Sequence, residues 1–328
     1  MWRSLALAAL VCSSSPARAG RASAAREQLR RQETERLVDQ ILIGQSVQSS
    51  VSRILYRGHQ AYAAGALLEA LDRPLERRAK QDVAFALAQF GVKAAEPALL
   101  GLLREEDASI RMTALQGLAR LGSDQVKRIS PLLKDRNPGV RREAARALGA
   151  GGKAPVSGLL LGAAREEAEP EVRAAMLIAV GGTGDRKQAR ALEGFLGSSS
   201  ETTRFAAAQA LCRLGSPAGF QVARKLLSSR DRYERRNGLA LFEGARAKEA
   251  EKMLRPMLKD RDPPVAATAA RILYQGGDAR MLDWLVLASA RAPADAKLAY
   301  EAELETLHLA DDRRKQILAR AGIRAPRR

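Results

Sequence analysis

Eight windows of this chain can be laid over one another at a spacing of about 31 residues, and that periodicity constrains the fold more than any other feature. With Ala79, Ile110, Val140, Val172, Thr203, Glu234, Val265 and Ala296 as anchors, the steps are 31, 30, 32, 31, 31, 31 and 31. Eight residues after the anchor stand Leu87, Leu118, Leu148, Val180, Leu211, Phe242, Leu273 and Leu304. Four after it stand Val83, Ala114, Ala144, Met176, Ala207, Gly238, Ala269 and Tyr300. Apolar positions at the anchor, +4, +5 and +8 share one face of an α-helix.

The same slide supplies punctuation. Three residues before the anchor come Glu76, Asp107, Asn137, Glu169, Ser200, Asp231, Asp262 and Pro293. Most of these can cap the free N–H groups of a helix that starts there. Pro138, Pro170 and Pro263 then suit its first turn. Twelve after the anchor come Gly91, Gly122, Gly152, Gly184, Gly215, Arg246, Gly277 and His308. Glycine here ends the helix in a left-handed cap. In the sixth window the glycine, Gly244, comes two residues early. A second apolar helix is expected after the break at 94–103, 125–133, 189–196, 218–227 and 247–258. Pro131 and Pro256 should kink it. No such helix pair can bury its apolar face alone, so the pairs must stack.

The run acidic-x-x-Val-Arg-x-x-Ala-Ala-x-Ala-Leu, a glycine, then a Leu-rich helix resembles the HEAT-like repeats named after phycobilisome lyases. The resemblance covers roughly residues 58–310. It implies an all-α fold, a right-handed α-solenoid of about eight two-helix repeats. It says little about function, since such repeats serve scaffolds, lyases, hydroxylases and DNA glycosylases. Residues 20–57 are expected to form a linker and helical cap, with helices at 33–42 and 47–56. Residues 311–328 are expected to form a last helix and a basic tail.

A basic column lies one residue after the anchor: Lys80, Arg111, Arg141, Arg173, Arg204 and Arg235. The family resemblance implies an internal hydrogen-bonded ladder between repeats. The acidic or polar column four residues upstream, Asp107, Asn137, Glu169, Asp231 and Asp262, is expected to supply its partners. Basic residues outside the ladder, among them Arg73, Lys134, Arg142, Arg146, Arg230, Arg232, Arg236 and Arg261, are then expected to face solvent.

The formal charge is +18. That predicts weak, nonspecific binding to anionic polymers or lipids whatever the protein does. The ladder arginines would be engaged internally, which argues against dedicated nucleic-acid recognition. The N-terminus reads as a signal peptide at 1–19. Arg3 precedes a short apolar run, and Ala17-Arg18-Ala19 forms a small-residue cleavage site. The mature chain would begin at Gly20, in the periplasm or outside the cell. A lipoprotein acylated at Cys12 is the second reading, with bulky Val11 against it. A cytoplasmic chain with a chance leader is the third. No second run is long enough to span a membrane.

No catalytic, cofactor or metal constellation is evident. The two histidines, His59 and His308, lie far apart, and the two cysteines, Cys12 and Cys212, form no ligand set. The resemblance to deoxyhypusine hydroxylases implies a di-iron site on His-Glu pairs, and this chain has no His-Glu pair. HEAT-like DNA glycosylases need an aromatic-lined cleft, and aromatics are only 4% of this chain. The glycines at 181–184 lack the lysine of a phosphate loop and read as a helix end. The sequence therefore points to a non-enzymatic, exported scaffold that binds a protein or peptide on the solenoid's concave surface. The alternatives are a cytoplasmic nucleic-acid binder and a HEAT-repeat enzyme of lyase or oxidoreductase type.

Overall fold

The computed structural model describes residues 16–152, 155–245 and 248–323. Most of the leader with Cys12, the column residue Arg246, and residues 324–328 of the basic tail lie outside the described residues. Among the described residues there are nineteen α-helices and no strand, and the fold is an all-α solenoid. No described helix is long and apolar enough to cross a membrane. The chain divides after Leu121 into two compact units.

The first unit holds α1 (Pro16–Leu42), α2 (Val47–Tyr56), α3 (Gln60–Leu71), α4 (Arg77–Phe90), α5 (Glu96–Leu102) and α6 (Ala108–Arg120). The expected cap helices are present. The first is longer than its apolar pattern suggested, since α1 starts at Pro16 and runs through the Ala17-Arg18-Ala19 segment. The second unit holds α7 (Val126–Ile129), α8 (Pro138–Ala150), α9 (Pro155–Glu166), α10 (Pro170–Gly182), α11 (Ala189–Glu193), α12 (Glu201–Leu214), α13 (Pro217–Leu227), α14 (Arg232–Ala240), α15 (Lys248–Leu254), α16 (Pro263–Gln275), α17 (Arg280–Arg291), α18 (Ala294–Thr306) and α19 (Asp311–Arg320).

The repeat columns map directly onto these elements. The eight anchors lie in α4, α6, α8, α10, α12, α14, α16 and α18, which we call the anchor helices. Every residue of the −3 column is the N-cap of its helix. Four of them use the side chain: Asp107, Asn137, Ser200 and Asp231 accept from N–H groups two or three residues on. All eight residues of the +8 column are buried.

The second helix of several repeats changes character midway. After α7, α11 and α15 the chain tightens into 3₁₀ turns at Ser130–Lys134, Gly194–Gly197 and Arg255–Lys259. Pro131 and Pro256 sit at the start of two of these turns, where a missing N–H and a crowded ring disfavour a continued α-helix. The kinks expected from these prolines are thus switches of helix type. Gly194 opens the third turn without a proline.

Small residues set how closely anchor helices stack. A Cβ on Gly181 of α10 would lie 2.6 Å from the Ala210 Cα of α12. The same glycine–alanine pairing recurs between Gly149 of α8 and Ala179 of α10, and between Ala88 of α4 and Gly117 of α6. Each pair joins position +9 of one repeat to position +7 of the next. Any larger side chain there would force the helices apart.

The +12 glycines Gly91, Gly122, Gly152, Gly184, Gly215 and Gly277, with the early Gly244, all have positive φ. In the last repeat the column holds His308 instead, at φ 49° and exposed. A side chain pays a steric penalty in this conformation of about 1–2 kcal/mol. Replacing His308→Gly should relieve it and raise unfolding stability by about 0.5–1 kcal/mol after the extra entropy of unfolded glycine. A shift of the urea midpoint upward is expected; an unchanged or lower midpoint would show that the imidazole stabilises the turn.

Candidate partner-binding face

The basic column does form an internal ladder, with partners different from those expected. Nη1 of Arg141 donates to the Asp135 and Arg136 carbonyls at 3.0 and 3.5 Å. In Arg235, Nη1 donates to the carbonyls of Ser229 and Arg230 at 3.1 and 3.0 Å. Arg111 and Arg204 hold the corresponding pairs, Glu105 with Glu106 and Ser198 with Ser199. Arg173 holds the Glu167 carbonyl. Each arginine therefore ties down the loop that leads into its own helix.

The rest of the guanidinium reaches forward by one repeat. Arg141 Nε and Nη2 donate to the two Glu167 oxygens at 2.7 and 2.9 Å. Arg235 makes the same two-pronged contact with Asp260, at 2.7 and 2.9 Å. Lys80 makes a single bond to Glu105 at 3.0 Å. These carboxylates stand five residues before the next anchor, not three. Two of them also accept from the N–H two residues on: the Glu169 N–H donates to Glu167 and the Asp262 N–H to Asp260. Burial pushes the Glu167 carboxyl up, but the Arg141 guanidinium and the Glu169 N–H outweigh it and hold it below its usual range. Where the −5 position is Ser198 or Ser229, the serine still accepts from the loop N–H, but it offers no carboxylate. These serines hold the −5 place in the repeats that follow Arg173 and Arg204.

The expected pairing with the −3 column is thus corrected. Glu169 and Asp231 sit at the helix starts, while Arg173 and Arg235 turn to loop carbonyls and, for Arg235, to Asp260. Asp107 caps Ser109 N–H and pairs with Arg77 at 2.5 Å. A four-residue spacing suggested a contact along one helix, whereas the arginine points off the helix into the loop. The −5 column was visible in the same alignment at Glu105, Asp135, Glu167 and Asp260. That column was the signal for the true partners.

With the ladder engaged, the surface to consider is the face of the anchor helices turned away from their second helices. A cleft of about 520 Å³ crosses it over α8, α10 and α12. Ala174, Ala175, Ile178, Ala179 and Gly182 make an apolar floor, and no aromatic ring lines it. Arg142 and Arg146 stand on one side and Arg213 on the other. Arg142 was expected to be free in solvent. It is half-buried and leans with Arg146 on one oxygen of Glu143, at 3.4 and 3.3 Å. Glu143 is itself only 3% exposed.

Arg213 carried no signal in the columns. It crosses from α12 to the next repeat and donates to the Glu243 carbonyl at 2.7 Å. Its guanidinium lies over Gly244, where a Cβ would come within 3.1 Å of Nε. The early glycine of the sixth repeat leaves room for that crossing. Burial lowers the Arg213 guanidinium's pKa, and the Glu243 carboxylate partly opposes this.

The chain matches the description "HEAT repeats" over residues 64–129 and 157–242. These segments are HEAT repeats. The HEAT-repeat fold is similar to that in the complex of CpcE and CpcF of phycocyanin lyase from Nostoc sp. PCC7120. The identity is 19%, the TM-score 0.52, and the match covers 75% of this chain and 94% of that one. An identity this low shows the fold alone. A solved engineered protein is 20% identical over 74% of this chain and 97% of its own, but its TM-score is 0.27 and it carries no weight. No curated protein matches the chain.

His59 and Cys212 have structural surroundings. No group of three or more His, Cys, Asp or Glu side chains among the described residues could hold a metal ion. His59 Nδ1 lies 2.9 Å from Thr34 Oγ1, whose own hydrogen goes to the Arg30 carbonyl. The imidazole therefore donates from Nδ1. Cys212 is fully buried, and burial pushes its thiol up to about 12. Phe220 and Phe242 stack at 6.0 Å in the core, and Trp284 meets Tyr300 edge-on at 6.0 Å.

The ladder geometry ranks its members. Arg141→Ala should cost about 2–3 kcal/mol, because it strands the buried Glu167 carboxylate and two loop carbonyls. Arg204→Ala should cost less than about 1 kcal/mol, since exposed Arg204 holds only carbonyls that water can reach. Urea melts of the two variants check the ranking. Equal losses would contradict it.

Proposed function

We propose that this HEAT-repeat protein is an exported, non-enzymatic scaffold that receives a segment of another protein on the anchor-helix face of its second unit. The cleft over α8, α10 and α12 is the observation that carries this reading. Its floor is made of small and partly covered residues of α10, with Ala175 and Ile178 half-buried. Its walls supply hydrogen-bond donors to fix a backbone or side chain. The Arg141–Glu167 clamp and the close Gly149–Ala179 and Gly181–Ala210 contacts hold α8, α10 and α12 together, so the groove is preformed and little ordering entropy opposes docking. Export rests on the order of charge, apolar run and small-residue site in residues 1–19. The absence of an enzymatic role is part of the proposal, supported by a cleft whose charged lining is three arginines and the exposed Glu171, with neither histidine nor cysteine among them.

A photo-crosslinking residue placed at Ile178 should trap a discrete protein adduct in the native host. The same residue at Leu159 of α9, exposed on the second-helix layer, should not. N-terminal sequencing of that adduct's bait should begin at Gly20. Equal adducts at both sites, or nucleic acid in the Ile178 adduct, would overturn the docking face. A retained Met1 would overturn export.

A further inference from the structure

We propose that the docked segment is acidic, and that Arg142 and Arg146 of α8 are its specificity determinants. The inference rests on the docking face proposed above and adds the chemistry of its occupant. Arg142 and Arg146 differ from the ladder arginines in what they hold. Each ladder arginine described in full, Arg141 and Arg235, has its donors spread over two carbonyls and a carboxylate. Arg142 and Arg146 each make one long bond, and both go to the same Glu143 oxygen. A guanidinium has five N–H donors, so most of the donors on this pair remain for a ligand.

Glu143 explains why they are aimed. It is buried on α8 between the two arginines, one residue from the first and three from the second. A single carboxylate beneath two guanidiniums holds both in place without neutralising them. The result is a pre-set pair with one net positive charge at the edge of an apolar floor. A carboxylate fits such donors bidentately, and its negative charge is complementary. The floor residues Ala174, Ala175 and Ala179 are small, which leaves room for a main chain lying across α10 and α12. Three steps between anchor helices, from α8 to α14, span roughly 24–30 Å, or about eight extended residues.

The far end is also basic. Gln209 of α12 donates to the Ala240 carbonyl at the end of α14 at 3.0 Å, which continues the face onto the next repeat. There Arg236 is exposed at the same +2 register as Arg142. Tyr233, 58% exposed, lies under the Arg232 guanidinium at 5.0 Å. The occupant that matches this order is an extended protein segment with acidic side chains flanking small apolar ones.

Fluorescence anisotropy near physiological salt tests the proposal with a labelled peptide of roughly ten residues built of Glu, Ala and Leu. Its Gln counterpart and a labelled DNA single strand serve as comparators. The Glu peptide should bind at least roughly tenfold more tightly than the Gln peptide. The pair Arg142→Gln with Arg146→Gln should remove that preference. Arg142→Lys with Arg146→Lys keeps the charge and the fold, and should still weaken binding several-fold because the fork is lost. Arg224→Gln with Lys225→Gln, an equal charge change on exposed residues of α13, should leave affinity within about twofold. The proposal falls if the Gln peptide binds equally, or if the α13 pair loses as much as the α8 pair. It also falls if no preference appears up to about 1 mM peptide, or if the single strand binds more tightly and depends on the same two arginines. A protein adduct at Ile178 with affinities indifferent to the α8 pair would retain the docking face and overturn only its acidic occupant.

Discussion

The structure depends on one repeated contact: an arginine at the start of an anchor helix that grips the loop before it and, where a carboxylate is available, the loop of the next repeat. A stack of helix pairs has few contacts between residues distant in sequence, so each interface must be secured locally. Apolar packing supplies most of the energy, but aliphatic side chains alone leave the angle and register of neighbouring helices weakly defined. Arg141 and Arg235 fix both at their own steps. Their planar forks read two carbonyls on one side and a carboxylate on the other. The loop carbonyls that end one helix pair thereby find donors within the protein. Glycine–alanine contacts such as Gly181–Ala210 complete the arrangement by letting the same helices meet backbone to backbone.

This contact also decides which charges are free for function. A strongly basic chain invites a reading as a polyanion binder, yet its most regular basic column is consumed by the fold. Arg111 and Arg235 are 6% and 5% exposed. Charge available to a partner lies instead where the repeat departs from its own pattern. Glu143 places a buried carboxylate under two arginines. Gly244 comes early and lets Arg213 cross between repeats. Both departures border the same face of the second unit. A regular solenoid thus carries its distinctive chemistry at its irregular positions, which agrees with function residing in sites rather than in the fold.

Much of the architecture was legible because helix ends have strong local rules. The −3 residues are all N-caps and the +12 glycines all adopt positive φ, since both follow from a single turn of backbone. The +8 column is buried throughout, since it follows from helical periodicity. Pairing between repeats was less legible. The ladder joins residues some 25 apart, Arg235 to Asp260 among them, and a nearer acidic residue competed for the assignment. The distinction between Asp231, which caps, and Asp260, which clamps, depends on where the loop turns the chain. The cleft was illegible for the same reason. Its floor is built from alanines, which look in sequence like any other helix-forming residue.

A double-mutant cycle on Arg141 and Glu167 tests the coupling between repeats most directly. Stabilities of the wild type, Arg141→Ala, Glu167→Ala and the double variant are measured by urea unfolding under identical conditions. If the arginine clamps adjacent repeats, the two substitutions are strongly non-additive, with a coupling of about 1–3 kcal/mol. Additivity to within about 0.5 kcal/mol would contradict the clamp and leave apolar packing alone to set the register of the solenoid.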